Sequence, residues 1–432
     1  MNYYHLKSIL ASGKKEFSLK ESSDSFFIAG AKTKPYIEPS FDKIFYDAER
    51  PTVIFISAVG ATGKTALAEE LSRDVRLPIF DLSRHKPVGA NTLTGLLTQA
   101  FDIRHISAVL EGLANGNYGI IIDGLDEGRS KATEEAFEAF LDDVIRLCPT
   151  GHGTTVIMLG RSRTVDECWA YLSNKGLEPA LVSIAPFSVA DAQRYIDAFS
   201  EVKPSFAKQY NEARNFIIEK LGRAFSSNGK EKSEDFLSFI GYPPVLDAIS
   251  TLLREEQNYQ KLRDDLSKED GNTVEVSLLY RIAAYIMHRE REQKVVPLIV
   301  NPLMQGVPDE IAASALNAYS DDEQCMRLVA YCLENPLSLS RISEPTLNEK
   351  YEESLSQFLP EHPFIAGRQF RNVVFEALAL ATLVASDDDA AQELLREYVA
   401  LHKHSYHFVY MLDTISADHH VSIHDEGVES FV

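Results

Sequence analysis

TVIFISAVGATGKTALAEELSRDV, residues 52–75, decides how the rest of this chain is read. The run TVIFIS is nearly continuous in apolar and β-branched residues, the pattern of a strand covered on both faces. Ala58-Val59-Gly60-Ala61-Thr62-Gly63-Lys64-Thr65 follows at once, in the form of a phosphate-binding loop with alanine where its first glycine usually stands. TALAEELSRDV then has helical spacing. In such a loop the chain bends around an anion and turns backbone N–H groups and a helix N-terminus toward it. Gly63 permits close backbone approach, Lys64 reaches the outer phosphate oxygens, and Thr65 offers a hydroxyl to Mg²⁺. Composition alone produces this pattern in about one chain in thirty of this length, so its weight comes from the strand before it and the helix after it. Ala58 costs little at negative φ, and Gly60 is expected to take any awkward conformation in the loop.

Four more short apolar runs lie downstream: LPIFDLS (77–83), YGIIID (118–123), TTVIML (154–159) and PALVSI (179–184). Between them are helical patterns, among them TEEAFEAFLDDVIRLC (133–148), with Phe137, Phe140, Leu141, Val144 and Leu147 on one face. Strands alternating with helices predict an α/β core with a mostly parallel five-stranded sheet and right-handed crossovers, at about 47–200. Residues 1–46 read as a lead-in. After about 190 the strands stop, which predicts a helical domain at 201–295 and a mostly helical or winged-helix-like region at 296–432. SSNGKEKSED (226–235) and SKEDGNT (267–273) read as exposed loops. No period of 20–50 residues marks a repeat array. The final ADHHVSIHDEGVESFV has no obvious terminating element, which leaves a longer native chain as an open expectation.

The second chemical element is YGIIIDGLDEG (118–128). An apolar strand that delivers Asp123 at its carboxyl end supplies what Mg²⁺ coordination beside a phosphate loop needs. Ligands of open α/β sheets bind at that edge, where Thr65 and Asp123 both arrive. Asp126 and Glu127 follow within one turn and are placed to polarise an attacking water. The third element is TTVIMLGRSR (154–163), in which Arg161 ends a strand and is positioned to detect a terminal phosphate.

Composition bounds the rest. The 432 residues are 45% hydrophobic and 25% charged, as in globular proteins, with a formal net charge of −21. That charge argues against a mainly electrostatic grip on nucleic acid or anionic membrane, while leaving room for one basic cleft. The N-terminus lacks the apolar region of a secretory signal, and FEALALATLVA (375–385) is too short to span a bilayer, so a cytoplasmic location is expected. Cys148, Cys168, Cys325 and Cys332 form no CxxC pair and read as buried thiols. HKHSYH (402–407) reads as an exposed polar stretch rather than a metal site.

The order of these elements resembles the STAND-class P-loop NTPases, and in particular their NACHT module. Asp123-Gly124-Leu125-Asp126-Glu127 matches that family's tandem acidic motif, and Leu159-Gly160-Arg161 is similar to its Thr-Ser-Arg, with glycine in place of serine. PFSVADAQRYIDAF (186–199) looks like the stretch after the family's fifth core strand. GYPPVLDAISTLL (241–253) is similar to its proline-containing nucleotide motif, with Pro243 and Pro244 both candidates. YIEPSF (36–41) looks like a segment that precedes bacterial NACHT modules. The helix from Phe370 is similar to one near the module's end, where a histidine often stands at the position of Asn372.

The resemblance implies a P-loop NTPase core followed by helical domains, using ATP or ADP with Mg²⁺. It also implies a switch that assembles into a homo-oligomer on sensing a trigger, in anti-phage defence or innate immunity. A partner protein or a further domain would supply effector and sensor. GTP stays open as the nucleotide, since no base-specific motif such as NKxD is seen. Two other readings stand beside it. In one, a small-molecule kinase uses Arg84, His85 and Lys86 in LSRHKPVGANT (82–92) as a lid. In the other, a non-catalytic scaffold binds nucleotide for stability.

Overall fold

The computed structural model describes residues 1–402, apart from 13, 17–18, 33–34, 47–50, 86, 102, 149–153, 201–206, 226–233, 257 and 269–271. Lys86, most of SSNGKEKSED, the centre of SKEDGNT, the histidines beyond His402 and the final ADHHVSIHDEGVESFV therefore lie outside the described residues. The chain divides into two compact units, Met1–Phe187 and Ser188–Val432.

The first unit is built on a seven-stranded sheet. Its strands are β1 (Phe26–Phe27), β2 (Phe41–Phe45), β3 (Val53–Ser57), β4 (Ile79–Asp81), β5 (Ile120–Asp123), β6 (Val156–Gly160) and β7 (Ala180–Ile184), in the order β1-β4-β5-β6-β3-β7-β2. The five inner strands are parallel and correspond to the five apolar runs. The two outermost strands pair antiparallel, β1 on β4 and β2 on β7.

The expectation of five strands is thus corrected to seven, because part of the lead-in closes both edges of the sheet. Of the five residues in β2 only Phe41 is buried. An edge strand has one neighbour and needs no continuous apolar run, so FDKIF gave no period to read. The lead-in is anchored further by the N-terminal ammonium, which donates to Phe41 O (2.7 Å), and by Tyr3 OH, which donates to Asp74 Oδ2 (2.9 Å).

Alternation along the inner strands divides the core into two apolar layers. Ile54, Ile56, Ile79, Ile121, Ile157 and Val182 face the helix Lys64–Val75, through Leu67, Ala68 and Leu71, and the helix Tyr3–Ala11. Val53, Phe55, Phe80, Ile122, Val156 and Met158 face the opposite way, against Leu93, Leu113, Phe140, Val144 and Leu172 of the helices on that side. The positions expected to line one face of 133–148 are all buried, from Phe137 to Leu147. That helix, Glu134–Arg146, is capped by the Thr133 side chain at Ala136 N.

The second unit is helical. The stretch VLDAISTLLREEQNYQKL (245–262) is divided between two helices, Pro243–Glu255 and Tyr259–Lys268. Asn272–Glu290 runs on into a wider π-helical segment, Arg291–Val300, that contains Pro297. Pro297 has no N–H to donate, so ordinary α-helical bonding cannot continue through it. The region from 296 carries the helices Asp309–Ser314, Asp321–Cys332 and Pro345–Phe358, then a hairpin of β8 (Ile365–Ala366) and β9 (Gln369–Phe370).

The core of this unit contains charge. Glu323 accepts from Arg327 Nε (2.7 Å), Tyr351 OH (3.1 Å) and Tyr319 N (2.8 Å), and Arg327 forms two 2.7 Å bonds to Glu352. Gln324 Oε1 meets His362 Nε2 at 3.3 Å, while His362 Nδ1 accepts from Phe364 N. Cys148, Cys168 and Cys325 are buried free thiols and Cys332 is half-buried. Among the described residues no single helix is long and apolar enough to cross a membrane.

Candidate functional site

Six of the residues singled out in the sequence, Lys64, Thr65, Asp123, Asp126, Glu127 and Arg161, meet at the carboxyl edge of the first unit's sheet. The helix Lys64–Val75 starts directly after β3, with Gly63 as a left-handed N-cap (φ +88°) that provides no side-chain acceptor. Its first-turn N–H groups thus face the anion position of the loop. Ala58 is buried outside the positive-φ region, and its N–H donates to Gly160 O (3.0 Å), so alanine fits at the loop's first position.

The expectation for Gly60 is not met. Ala61, at φ +59°, takes the left-handed turn, at a cost of about 1 kcal/mol for an L-residue. Thr62 steadies the bend by donating to Val59 O (2.8 Å).

Lys64 Nζ folds back over the loop and donates to Val59 O (3.2 Å) and Ala58 O (3.3 Å). Burial pushes its ammonium below the ordinary lysine range; Asp126, Glu127 and Asp123 oppose that shift, and Arg161 adds to it. These charged groups therefore act on one another at close range. Asp123, 4% exposed, lies beside the Thr65 hydroxyl and the Gly124 N–H, both of which favour its charged form. Burial pushes its carboxyl up to about 6, those two neighbours pull it down, and nearby Asp81 and Glu127 raise it.

Asp126 and Glu127 are adjacent in sequence but differ in surroundings. Gly124 adopts φ +75°, and a side chain there would come within 3.0 Å of Ser83 N, so glycine is needed to start the helix Leu125–Lys131 this close to β4. Asp126 Oδ1 accepts from Arg161 N–H (2.9 Å), and its Oδ2 lies 3.5 Å from Arg161 Nε. Among the described residues, the Glu127 carboxylate has neither a hydrogen bond nor an ion pair, and it is half-exposed.

Gly160, found where the resembling family has serine, packs against this helix. A β-carbon would stand 2.9 Å from Leu125 Cβ, so glycine is what lets β6 and the acidic turn pack together. Arg163 points out to solvent, paired with Glu167 at 3.3 Å.

Thr65 and Asp123 provide adjacent hard oxygen donors. Among the described residues no group of three or more His, Cys, Asp or Glu is arranged to hold a metal. That donor set suits Mg²⁺, which takes one or two protein oxygens and completes its shell with phosphate and water.

One residue of this edge was missed in the sequence. Asp81 ends β4 in register with Asp123 of β5. The available signal was that LPIFD and GIIID both end an apolar strand on aspartate.

Pro243 and Pro244 belong to the second unit, where they form the first turn of the helix Pro243–Glu255, Pro244 buried and Pro243 half-buried. Proline is well suited there, since those N–H groups have no partner within the helix. Asn372 caps the helix Val373–Val384 through Val374 N (3.0 Å) and donates to Asp235 O and Ser238 Oγ (3.2 Å each). Comparison with models of known protein families and with curated proteins returns no significant match for this chain.

Proposed function

We propose that the chain is an ATP-binding and ATP-hydrolysing switch of the STAND and NACHT type, with a P-loop NTPase core in its first unit. The observation that carries this reading is the convergence of Lys64, Thr65, Asp123, Asp126, Glu127 and Arg161 at one carboxyl edge of a parallel sheet. The loop amides and the start of the helix Lys64–Val75 cradle the phosphates, and Lys64 leaves the Ala58 and Val59 carbonyls for the β- and γ-oxygens. Thr65 and Asp123 would hold a magnesium ion, which would supply charge neutralisation when bound.

Hydrolysis places a water in line with the γ-phosphorus. Glu127, whose carboxylate is free of hydrogen bonds and ion pairs among the described residues, takes its proton as the new P–O bond forms and the bond to the bridging oxygen breaks, giving ADP and phosphate. Asp126 is already committed to Arg161, so its role is to hold that guanidinium where the γ-phosphate is present or lost. This sharpens the sequence reading, which gave the water to Asp126 together with Glu127.

A switch requires the nucleotide to bind two conformations with different affinity. ATP and ADP should then give different limited-proteolysis patterns and different sizes by light scattering, with assembly into a homo-oligomer favoured by ATP and trigger. Identical patterns and sizes would contradict the switch. Loss of the difference in Lys64→Ala would tie it to this site. Effector and sensor would come from a partner or a further domain, and the expected setting is cytoplasmic immunity. Arg84, the best described lid candidate of the kinase reading, is tied to Asp81 at 3.1 Å.

A further inference from the structure

Asp81 stands beside the metal-ligand position. Asp81 and Asp123 are register partners on adjacent parallel strands, which puts their side chains on the same face at the same edge. The strands are locked together there, since Leu82 N–H donates to Asp123 O (2.9 Å) and Lys131 Nζ donates to Ser83 O. Asp81 is only 6% exposed and Asp123 only 4%. Two like charges this close and this dry oppose each other unless a cation stands nearby.

Asp81 Oδ1 accepts from Ser83 N (2.9 Å) and Ser83 Oγ (2.5 Å), while Oδ2 pairs with Arg84 Nε (3.1 Å), whose side chain is 58% exposed. One oxygen is therefore fixed inside the turn. The other is balanced by a long, solvent-facing side chain that can move aside at little cost.

We propose that Asp81 is a positioning residue for the divalent ion, acting from outside its ligand shell. Its fixed negative charge, added to that of Asp123, raises the affinity of the site for Mg²⁺. Arg84 serves as its counter-ion when the metal is gone. This rests on the nucleotide-site reading above and adds to it a determinant of metal affinity.

The sign of the effect separates this role from a structural one. The substitution Asp81→Asn keeps an oxygen for the Ser83 turn and loses only the charge, so it is the variant to use. Removing a negative charge beside bound phosphates favours metal-free nucleotide and disfavours the metal. A damaged turn would weaken both.

The experiment titrates Mn²⁺ by electron paramagnetic resonance into the ADP-bound full chain, and measures ADP affinity separately in EDTA. Asp81→Asn is expected to weaken Mn²⁺ binding about tenfold, in the range of outer-shell substitutions, with metal-free ADP binding unchanged or tighter. Unchanged Mn²⁺ affinity, or parallel loss of both, would overturn the proposal. If the unaltered chain binds no ADP, the nucleotide-site reading itself fails. If it does bind, and Asp123→Asn loses Mn²⁺ while Asp81→Asn does not, only the role of Asp81 fails.

Discussion

Two clusters of acidic and basic side chains, one in each unit, show what separates a structural network from a site. In the second unit Glu323, Arg327 and Glu352 are bound to one another at 2.7 Å, and the remaining lone pairs of Glu323 take Tyr351 OH and Tyr319 N–H. That group has little left to offer a ligand. In the first unit Lys64 is satisfied by carbonyls of its own loop, two carboxylates lie side by side in Asp81 and Asp123, and Glu127 has no hydrogen-bond or ion-pair partner among the described residues. Charge gathered there without full internal pairing is charge available to something else.

The contrast can be broken most severely at its catalytic end. Glu127→Gln should retain nucleotide and lower the hydrolysis rate by about 10²–10⁴-fold, the usual contribution of a general base. Asp126→Asn should change the response to the γ-phosphate more than it changes proton transfer. Single-turnover phosphate release measures both, and equal defects in the two variants would erase the distinction drawn between them.

The structural network should respond in stability instead. Arg327→Ala takes the guanidinium shared by Glu323 and Glu352 and leaves buried Glu323, among the described residues, with only the 3.3 Å pair to Arg341, a change expected to cost about 3 kcal/mol. Chemical denaturation should show this loss, whereas Lys64→Ala removes two bonds to its own loop and should cost about 1–3 kcal/mol, partly offset because a buried ammonium is also removed.

Acid should move the two units in opposite directions. Burial lowers the His362 imidazole to about 3, so it stays neutral in the fold while the unfolded chain takes up a proton below about 6.5. The contribution of His362 is intact at pH 7 and is lost as pH falls from about 6.5 toward 3, by about 1.4 kcal/mol per unit. Asp123 behaves in reverse. Its carboxyl is raised to about 6, so folding favours the proton and its contribution shrinks as pH rises from about 4 to about 6, by roughly 3 kcal/mol in total. Asp123→Asn should remove the second trend and His362→Gln the first, in denaturation curves taken across pH 4–7. Mn²⁺ binding to the unaltered chain should strengthen through pH 6 as the carboxylate is freed of its proton.

The smallest effect concerns the scaffold beneath the site. Thr133→Ala removes the cap of Glu134–Arg146 and should cost about 1 kcal/mol without changing nucleotide affinity.

Much of the first unit was legible because its inner strands are buried on both faces, so TVIFIS and YGIIID carry unbroken apolar runs. The edges were not. FDKIF buries one residue and is held by hydrogen bonds to β7 that leave no mark on composition. The same limit applies at the site. Lys64, Thr65 and Asp123 are readable from loop and strand chemistry, but the different surroundings of Asp126 and Glu127 depend on Arg161, which is 35 residues from Asp126 in sequence. Intrinsic preference alone points to Gly60 for the left-handed turn, whereas the packing of the loop puts it at Ala61. In the second unit helical spacing located most helices, but gave no sign of the widened turns around Pro297 or of a core holding Glu323 and Arg327.

The proposed switch depends first on the loop Ala58–Thr65 holding a nucleotide. Equilibrium titration of ATP and ADP, with Mg²⁺, into the full chain and into Lys64→Ala tests it most directly. Saturable binding of one nucleotide per chain is expected, with a loss of at least about tenfold to a hundredfold in the variant, the value of one or two charge-assisted bonds. A folded chain that binds neither nucleotide, or a variant that binds as tightly as the parent, would contradict it.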